Sequence, residues 1–396
     1  MEKVKGKTAA SIGTVCVSLY VVNYFLRNVL STLSPQMLEG GRFSLTLIGS
    51  LSSAYMLFYA IGQLINGFIG DIVSPKRMIT LGITLAGLSV LAFPFVSGGF
   101  LQLLLFSLLG FSLSMLRGPL MKIITENTEP NQARLICVFF SCASFIGPLV
   151  ASLVAVVNRW KLSFIISGAA TLAAAVIAYV FITIMEKRGL ISFHRNTELS
   201  LRGFMAVFKI EKFFFYLLVA CLIEIAYATT NSWLPTYFAT ALGYDKNTAN
   251  LLFSIPSIIG ALMPFAALAV FRMIGERDIP ILRVSFLLAA ITFGGILFTN
   301  NPIVIVVLVL VSRASFSFAS AMLWSIYIPG LGKTGRVSSI NGMIDCTGYA
   351  AAALANLACA FLIERFGWNG AIVLWTLTAL VGFVASVFQK DKPTEI

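Results

Sequence analysis

The residues with the most chemical interest are five charged side chains inside long apolar segments, namely Arg27, Arg117, Glu224, Arg313 and Asp345. A charge near the middle of a bilayer costs about 2.5–3.5 kcal/mol on insertion scales, so each of them requires a structural or functional reason. The three arginines exceed the two carboxylates by one positive charge. Because an uncompensated buried charge is costly, an anionic ligand would complete this set. The five residues therefore predict a site for a small anion.

Each of the five charges has more than one interpretation. Arg27 is the first candidate for the anion contact, because a guanidinium offers a bidentate fork to a carboxylate or phosphate and keeps its charge. Arg313 is either a second anion contact or the partner of Glu224 or Asp345. These two carboxylates are each either a proton-coupling group or a permanent counter-ion of an arginine. Arg117 lies nearer the cytoplasmic end of its segment, where we expect a structural or gating ion pair.

A second set of polar and aromatic side chains in the same segments could line a cavity and set its specificity. Each of them is also explained by ordinary packing or by a hydrogen bond between helices. The set consists of Tyr24, Tyr59, Gln63, Tyr227, Asn231 and Trp233. His194 is the only histidine and falls in a polar loop, so no histidine serves as an intramembrane proton relay. The six cysteines lack metal-ligand spacing, and we expect neither a metal nor another cofactor.

These residues are positioned by segments that are long and apolar enough to cross a bilayer. Hydrophobic residues make up 58% of the 396 residues, charged residues make up 11%, and the mean hydropathy is +0.92. Soluble domains contain about 45–50% apolar and about 25% charged residues. We therefore predict an all-α membrane protein with twelve transmembrane helices of roughly 20–25 residues. The predicted spans are 10–34, 44–70, 78–97, 99–127, 133–157, 162–186, 212–240, 247–271, 279–298, 302–328, 336–363 and 368–389.

The segment 187–211 interrupts the regular alternation of spans and short loops. It is polar and basic, and it divides the spans into six before it and six after it. We predict two pseudo-symmetric six-helix bundles, 1–186 and 212–396, joined by a cytoplasmic linker over 187–211. Such an organisation places a binding site between the two bundles.

The net charge of +12 is explained by topology. With the N-terminus inside, most of the 28 Lys and Arg residues fall in the cytoplasmic segments, as the positive-inside rule requires. We therefore predict a multi-pass protein of the cell membrane with both termini in the cytoplasm. The positive charge then needs no nucleic-acid partner. The expected partners are the lipid bilayer, a small anionic solute, and a proton or a counter-anion, and we expect a monomer.

A charged loop motif follows the second predicted span and reads GFIGDIVSPKR. It contains Gly67, Gly70, Asp71, Lys76 and Arg77. This spacing resembles the signature of the major facilitator superfamily, although Ser74 stands where that family usually has a second glycine. The resemblance implies two six-helix bundles that rock about a central site, and it implies that Asp71 helps to latch them in one state. An ordinary charged helix end is the alternative interpretation of the motif.

Three further segments narrow the resemblance. Asn23–Arg27 (NYFLR), Trp233–Tyr237 (WLPTY) and Arg365–Gly370 (RFGWNG) resemble the organophosphate:phosphate antiporters. That family has a second phosphate-binding arginine where this chain has Tyr227, and it has a lysine at the position of Gln63. More weakly, the first segment resembles the anion:cation symporters, whose aspartate before the arginine is Leu26 here. Phosphate exchange is therefore not implied.

The leading hypothesis is a secondary transporter that moves a small organic anion across the cytoplasmic membrane by alternating access. The anion would be a carboxylate, a sugar acid or a phosphorylated metabolite, and both symport and antiport are open. The first alternative is a drug/metabolite:proton efflux antiporter, because the segment around Gly147-Pro148 in the fifth span resembles a degraded form of a glycine–proline motif of antiporters in this superfamily. A remote alternative is an intramembrane enzyme or receptor on a transporter fold, but no clustered residues have catalytic spacing. The sequence contains no nucleotide-binding motif, so we do not expect a primary pump.

Overall fold

The computed structural model of the protein describes residues 6–39, 43–157, 159–193 and 207–391. Within these ranges there are twelve helices long and apolar enough to cross a membrane, and there is no strand. The predicted all-α membrane fold with twelve spans is confirmed. His194, together with the part of the predicted linker over 194–206, lies outside the described residues. The helices are α1 (Gly6–Glu39), α2 (Leu45–Ile72), α3 (Pro75–Ala92), α4 (Gly99–Asn127), α5 (Pro130–Ala155), α6 (Trp160–Lys187), α7 (Phe213–Thr240), α8 (Lys246–Met273), α9 (Asp278–Ile296), α10 (Pro302–Ala321), α11 (Val337–Phe366) and α12 (Trp368–Val387).

Local sequence signals explain where several helices begin. The Ser44 hydroxyl oxygen accepts a hydrogen bond from the Leu47 N–H at the start of α2, with 3.1 Å between the atoms. The Asn301 side chain accepts from the N–H groups of Ile303 and Val304 at the start of α10. Proline is the first residue of α3, α5 and α10, where its missing N–H leaves no hydrogen bond unmade. These starts lie within about one helical turn of the predicted ones.

The predicted tenth span, 302–328, is not one uniform helix. After α10 the chain forms a π-helical turn over Met322–Tyr327, a rare geometry that is frequent at functional sites. The Tyr327 hydroxyl donates to the Glu211 carbonyl oxygen at 3.0 Å, and its ring stacks on that of Tyr216. Tyr327, the last residue of the π-helical turn, therefore contacts one residue just before α7 and one in its first turn.

Large apolar side chains cover much of the outer surface of the helices. Phe100 is 78% exposed and Phe298 is 90% exposed, and many leucines, isoleucines and valines are exposed in the same way. In water such a surface would favour aggregation. It fits contact with lipid, which agrees with the chain being a multi-pass membrane protein.

The described residues form two compact units. Unit 1 contains α1 to α6, up to Val207, together with Leu331–Cys346, and unit 2 contains Phe208–Gly330 and the chain from Thr347 onward. Helix α11 therefore begins in unit 1 and continues into unit 2. The division of the chain into bundles 1–186 and 212–396 stays a prediction.

In unit 1, the close packing of α5 against α1 holds the segment that carries Arg27. A Cβ atom on Gly147 would lie 2.6 Å from the carbonyl carbon of Tyr24 and 2.7 Å from the Phe25 nitrogen. Only glycine allows this approach, so the Gly147-Pro148 pair has a packing role here.

In unit 2, a buried polar cluster fixes the start of α9. The ammonium nitrogen of Lys212 lies 2.9 Å from Oδ1 of Asp278 and 3.2 Å from Oδ2. The Tyr216 hydroxyl donates to Oδ2 of the same carboxylate. Asp278 is 1% exposed, and these two partners stabilise its buried negative charge. The cluster ties the residues before α7 to α9.

Candidate functional site

Arg27 lies in unit 1 between two aromatic rings. Its guanidinium carbon is 5.7 Å from the ring centre of Tyr24, one helical turn earlier on α1, and 5.6 Å from that of Tyr59 on α2. At such distances the negative face of a tyrosine ring attracts the cation. Tyr59 is 2% exposed, whereas Arg27 is half-buried. Three residues that the sequence selects for substrate contact are thus brought together on two helices.

Arg117 and Asp345 form a buried ion pair in unit 1. Nη1 of Arg117 lies 2.7 Å from Oδ1 of Asp345, and the carboxylate is 2% exposed. The Asn341 amide, one turn earlier on α11, donates to Oδ2 at 3.0 Å. The sequence left the partner of each charge open, and the structure pairs these two. Asn341 was not predicted, although its i, i+4 spacing from Asp345 on one helix face was the available signal.

The two arginines of unit 1 belong to one electrostatic cluster. Arg27 acts on Asp345 as well, and Arg117 acts on Tyr20, Tyr24 and Tyr59. Arginine and tyrosine side chains inside membrane-spanning helices are groups that can bind an anion that also offers hydroxyl groups or an apolar face.

Gln63 is a buried residue of α2 that lies next to α11. Its side chain is 1% exposed, and its amide nitrogen has no hydrogen-bond partner among the described residues. Its backbone carbonyl lies against Gly342 at the beginning of α11. These contacts describe a packing residue between α2 and α11, and a role of Gln63 in substrate contact stays a prediction.

Arg313 is the buried cation of unit 2. It is 7% exposed, and its guanidinium carbon lies 4.4 Å above the ring of Tyr227. Nη1 donates to the Thr230 hydroxyl at 2.6 Å, and Nη2 donates to Oδ1 of Asn231 at 3.0 Å. The Tyr227 hydroxyl is hydrogen-bonded to Ser317 at 2.8 Å. Three neighbouring side chains of α7 therefore fix the plane of the guanidinium, and Ser317 of α10 holds one of them.

None of the groups that hold Arg313 carries a negative charge. Within the described ranges no Asp or Glu forms an ion pair with it, so it is the partner of neither Glu224 nor Asp345. Its Nε also has no hydrogen-bond partner among the described residues. A buried guanidinium that is oriented by neutral groups keeps its full positive charge available to an anion. Thr230 was not predicted, because a threonine in an apolar segment has no distinguishing sequence signal.

The two other predicted residues of α7 lie apart from these contacts. Glu224 packs against α11, since a Cβ atom on Gly348 would lie 2.9 Å from its Cγ. The indole N–H of Trp233 has no hydrogen-bond partner in the described part of the chain. Roles for Glu224 in coupling and for Trp233 in substrate contact stay predictions.

The charged loop motif has a defined structural role in unit 1. The Asp71 carboxylate accepts hydrogen bonds from the N–H groups of Ser338 and Ser339, at 3.1 and 3.0 Å, and from the Ser339 hydroxyl. These N–H groups belong to the first turn of α11 and have no partner within that helix. Lys122 donates to the Asp71 carbonyl oxygen at 3.0 Å. Asp71 therefore caps a helix that lies 267 residues further along the chain.

The remaining motif residues divide between two neighbours. Gly67 lies against α11, where a Cβ atom would be 2.9 Å from the Cα of Gly342, and a Cβ on Gly70 would collide with the side chain of Ser338. Lys76 forms an ion pair with Glu186 of α6. Arg77 is exposed. The glycines thus bring α2 close enough to α11 for Asp71 to reach it. Whether this contact latches the transport cycle stays a prediction.

The described residues contain no group of three or more His, Cys, Asp or Glu that could hold a metal ion.

Comparison with known proteins gives a consistent result. The family model described as Major Facilitator Superfamily matches residues 16–353. The Hexuronate transporter of Bacillus subtilis (strain 168) is 23% identical over 419 residues, which cover 95% of this chain and 94% of that protein. The Probable sulfoacetate transporter SauU of Cupriavidus necator is 22% identical over 417 residues, which cover 97% of this chain and 95% of that protein. The solved structure of the proton:xylose symporter XylE bound to 6-bromo-6-deoxy-D-glucose has the same fold, with a TM-score of 0.75 at 13% identity, covering 98% of this chain and 97% of that one.

Proposed function

Because the chain belongs to the major facilitator superfamily, whose family model matches residues 16–353, we propose that it is a secondary transporter that moves a small organic anion by alternating access. The solute is a carboxylate, a sugar acid or a phosphorylated metabolite, and it crosses the membrane without chemical conversion. We place the protein in the cell membrane with both termini in the cytoplasm, as two six-helix bundles over 1–186 and 212–396. It functions as a monomer.

The observation that carries this proposal is the environment of Arg313. Thr230 and Asn231 hold its guanidinium by neutral oxygen atoms, and Tyr227 supports it by a ring face. Arg313 is 7% exposed and has no carboxylate partner among the described residues. An anion that binds next to such a buried cation stabilises it. A drug-like cation would be repelled by the same group, which disfavours the efflux alternative.

Arg27 supplies the corresponding contact in unit 1. It lies against Tyr24 and Tyr59, and a guanidinium has the fork geometry that a planar acceptor such as a carboxylate requires. Two of the relatives, a hexuronate transporter and a probable sulfoacetate transporter, support a solute with an acidic group. A sulfonate and a carboxylate each present at least two negatively charged oxygen acceptors on one atom, which an arginine fork can bind.

The experiment is exchange transport by the purified protein in liposomes. Vesicles loaded with an unlabelled compound are diluted into the same compound carrying a label, and label uptake is measured without any imposed gradient. The panel contains D-glucuronate, sulfoacetate and glycerol 3-phosphate, and D-glucose is the uncharged match of D-glucuronate. We expect exchange of at least one anion, no exchange of D-glucose, and a recovered label that is chemically unchanged.

The role of Arg27 is tested in the same vesicles. Arg27→Lys keeps the charge but removes the fork, and a hydrogen bond to a charged group is worth about 1.5–3 kcal/mol. We therefore expect exchange of the transported anion to fall by about tenfold or more. Undiminished exchange by this variant would refute the assignment of Arg27, and exchange of only neutral or cationic compounds by the unmodified protein would refute anion transport.

A further inference from the structure

Tyr55 carries a buried hydroxyl group near Arg27. It lies one helical turn before Tyr59 on α2, and the two rings stack with their centres 5.8 Å apart. Tyr55 is 6% exposed, and its hydroxyl oxygen is closed to solvent but has no hydrogen-bond partner among the described residues. Arg27 and Tyr24 of α1 act on it electrostatically. The hydroxyl is therefore an unbonded polar group in the neighbourhood of the proposed anion contact.

Other buried tyrosines of the protein bond their hydroxyl groups within the chain. Tyr216 is 0% exposed and donates to the Asp278 carboxylate, and Tyr327 is 6% exposed and donates to the Glu211 carbonyl oxygen. Most buried polar side-chain atoms in folded proteins have a partner, because an unbonded one keeps the full cost of its removal from water. A phenylalanine at position 55 would pack without this cost. The hydroxyl of Tyr55 therefore points to a partner that the described part of the chain does not supply.

The position of Tyr55 is fixed by close packing of α2 against α4. A Cβ atom on Gly110 would collide with the Tyr55 carbonyl oxygen, so only glycine allows α4 to come this close. The stacked ring of Tyr59 holds the ring of Tyr55 in addition. Little conformational freedom is therefore lost when a ligand bonds the Tyr55 hydroxyl, which favours binding.

The chemistry of this hydroxyl indicates the group that it binds. A phenol is uncharged and has one O–H donor and two acceptor lone pairs, and an alcohol offers the same set in return. A second acidic group would require a further cation, whereas Arg27, the cation that acts on Tyr55, is already assigned to the first acidic group. Tyr55 therefore suits an alcohol group of an anion whose acidic group lies at Arg27.

We propose that Tyr55 is a specificity-determining residue and that its hydroxyl bonds a hydroxyl group of the anion held at Arg27. This inference rests on the proposed anion transport, and it narrows the solute to a hydroxylated acid. An acid of equal length without hydroxyl groups is rejected, because it would leave Tyr55 unbonded in a buried site. Arg27 thus recognises the charge of the solute, and Tyr55 recognises a hydroxyl group.

The first test is thermal unfolding of the detergent-solubilised protein without added solute. Tyr55→Phe removes only a hydroxyl that has no internal partner, so we expect a melting temperature equal to or above that of the unmodified protein. Tyr216→Phe is the matched buried variant and should lower the melting temperature, because its hydroxyl bonds Asp278. A comparable loss of stability in Tyr55→Phe would reveal an internal partner and overturn the inference.

The second test compares two six-carbon monocarboxylates, D-gluconate and hexanoate, which differ in their hydroxyl groups. Each competes with exchange of the labelled panel anion in liposomes, and we expect D-gluconate to inhibit the unmodified protein at the lower concentration. Tyr55→Phe should weaken inhibition by D-gluconate about fivefold, which corresponds to one hydrogen bond between neutral groups. It should leave inhibition by hexanoate unchanged.

Two further variants in this assay separate a role in specificity from a general loss of binding. Arg27→Lys should weaken inhibition by both acids by the same factor, because it acts on the carboxylate that they share. Tyr179→Phe is the control, since it removes the hydroxyl of a tyrosine of α6 that is 50% exposed. It should change inhibition by neither acid.

The outcomes distinguish this inference from the proposed function. Equal inhibition of the unmodified protein by the two acids, or undiminished inhibition of Tyr55→Phe by D-gluconate, overturns the inference and leaves anion transport standing. Absence of exchange of every panel anion by the unmodified protein counts against the proposed function. The rise in melting temperature caused by D-gluconate then decides on Tyr55. A rise that Tyr55→Phe removes supports the inference, and a rise that persists in Tyr55→Phe, or none in the unmodified protein, overturns it.

Discussion

The capping of α11 by Asp71 provides a quantitative prediction for Asp71→Asn. The carboxylate accepts from the N–H groups of Ser338 and Ser339 and from the Ser339 hydroxyl. Asparagine keeps one carbonyl oxygen but replaces the other acceptor by an NH₂ group, which would face a donor. The variant therefore loses at least one charge-assisted hydrogen bond and the favourable charge at a helix N-terminus.

The magnitude follows from these two losses. A hydrogen bond to a charged group contributes about 1.5–3 kcal/mol, and a negative charge at a helix N-terminus contributes about 0.3–1 kcal/mol. Together they predict a cost of about 2–4 kcal/mol for opening the first turn of α11. At 1.4 kcal/mol for each factor of ten, amide hydrogen exchange in that turn should accelerate by about 30- to 700-fold.

Peptide-resolved hydrogen exchange measures this directly, because the N–H groups of Ser338 and Ser339 have no partner within their own helix. Ser44→Ala is the matched control. It removes the exposed side-chain cap of α2, which accepts from the Leu47 N–H. This change should affect only the first turn of α2, by about 1 kcal/mol. Equal exchange at Ser338 and Ser339 in Asp71→Asn and in the unmodified protein would refute this explanation of the motif.

Two further predictions concern stability, measured as thermal unfolding of the detergent-solubilised protein. Gly67→Ala places a methyl group 2.9 Å from a backbone atom of α11, and this overpacking should lower the free energy of unfolding by about 1–3 kcal/mol. The control Gly49→Ala adds a methyl group with no atom within 4 Å and should not destabilise the protein. Equal melting temperatures of the two variants would contradict the prediction. Asp278→Asn leaves Lys212 without its counter-ion in a buried site and should cost about 3–5 kcal/mol. The control Asp391→Asn removes the ion pair of an exposed arginine and should change the free energy of unfolding by less than about 1 kcal/mol. Similar losses of stability in Asp278→Asn and Asp391→Asn would show that burial does not cause the larger cost expected at Asp278.

The fold was predictable because its determinants are local. Each span is a long apolar segment whose composition alone favours lipid over water as its surroundings. The beginnings of several helices follow from proline or from a capping side chain such as Ser44 and Asn301. The π-helical turn over Met322–Tyr327 was not predictable in this way. Its sequence is as apolar as that of a regular helix, and the contacts of Tyr327 that accompany it come from residues more than a hundred positions earlier.

The candidate site was predictable in residue type but not in pairing. The cost of a charge in a bilayer selects Arg27, Arg117, Arg313 and Asp345 from sequence, because apolar segments carry few other charges. Which of them meet depends on the rotation and packing of helices far apart in the chain, and Asp345 is 228 positions from Arg117. Neutral partners such as Thr230 were missed for the same reason, since only the packed structure shows what an arginine donates to.

The measurement that tests anion transport most directly is exchange of the fastest panel anion by Arg313→Lys, compared with Arg283→Lys in vesicles of equal protein content. Arg283 lies on α9 and is half-buried, but it donates to the backbone oxygen of Ser386 and lies outside both candidate clusters. Lysine lacks the fork that would bond Thr230, Asn231 and the proposed anion together, so we predict a loss of about tenfold or more. Arg283→Lys should stay within about twofold of the unmodified protein, which corresponds to a surface-like change of less than 0.5 kcal/mol. Equal exchange rates in the two variants would contradict the central role of Arg313 in binding an anion.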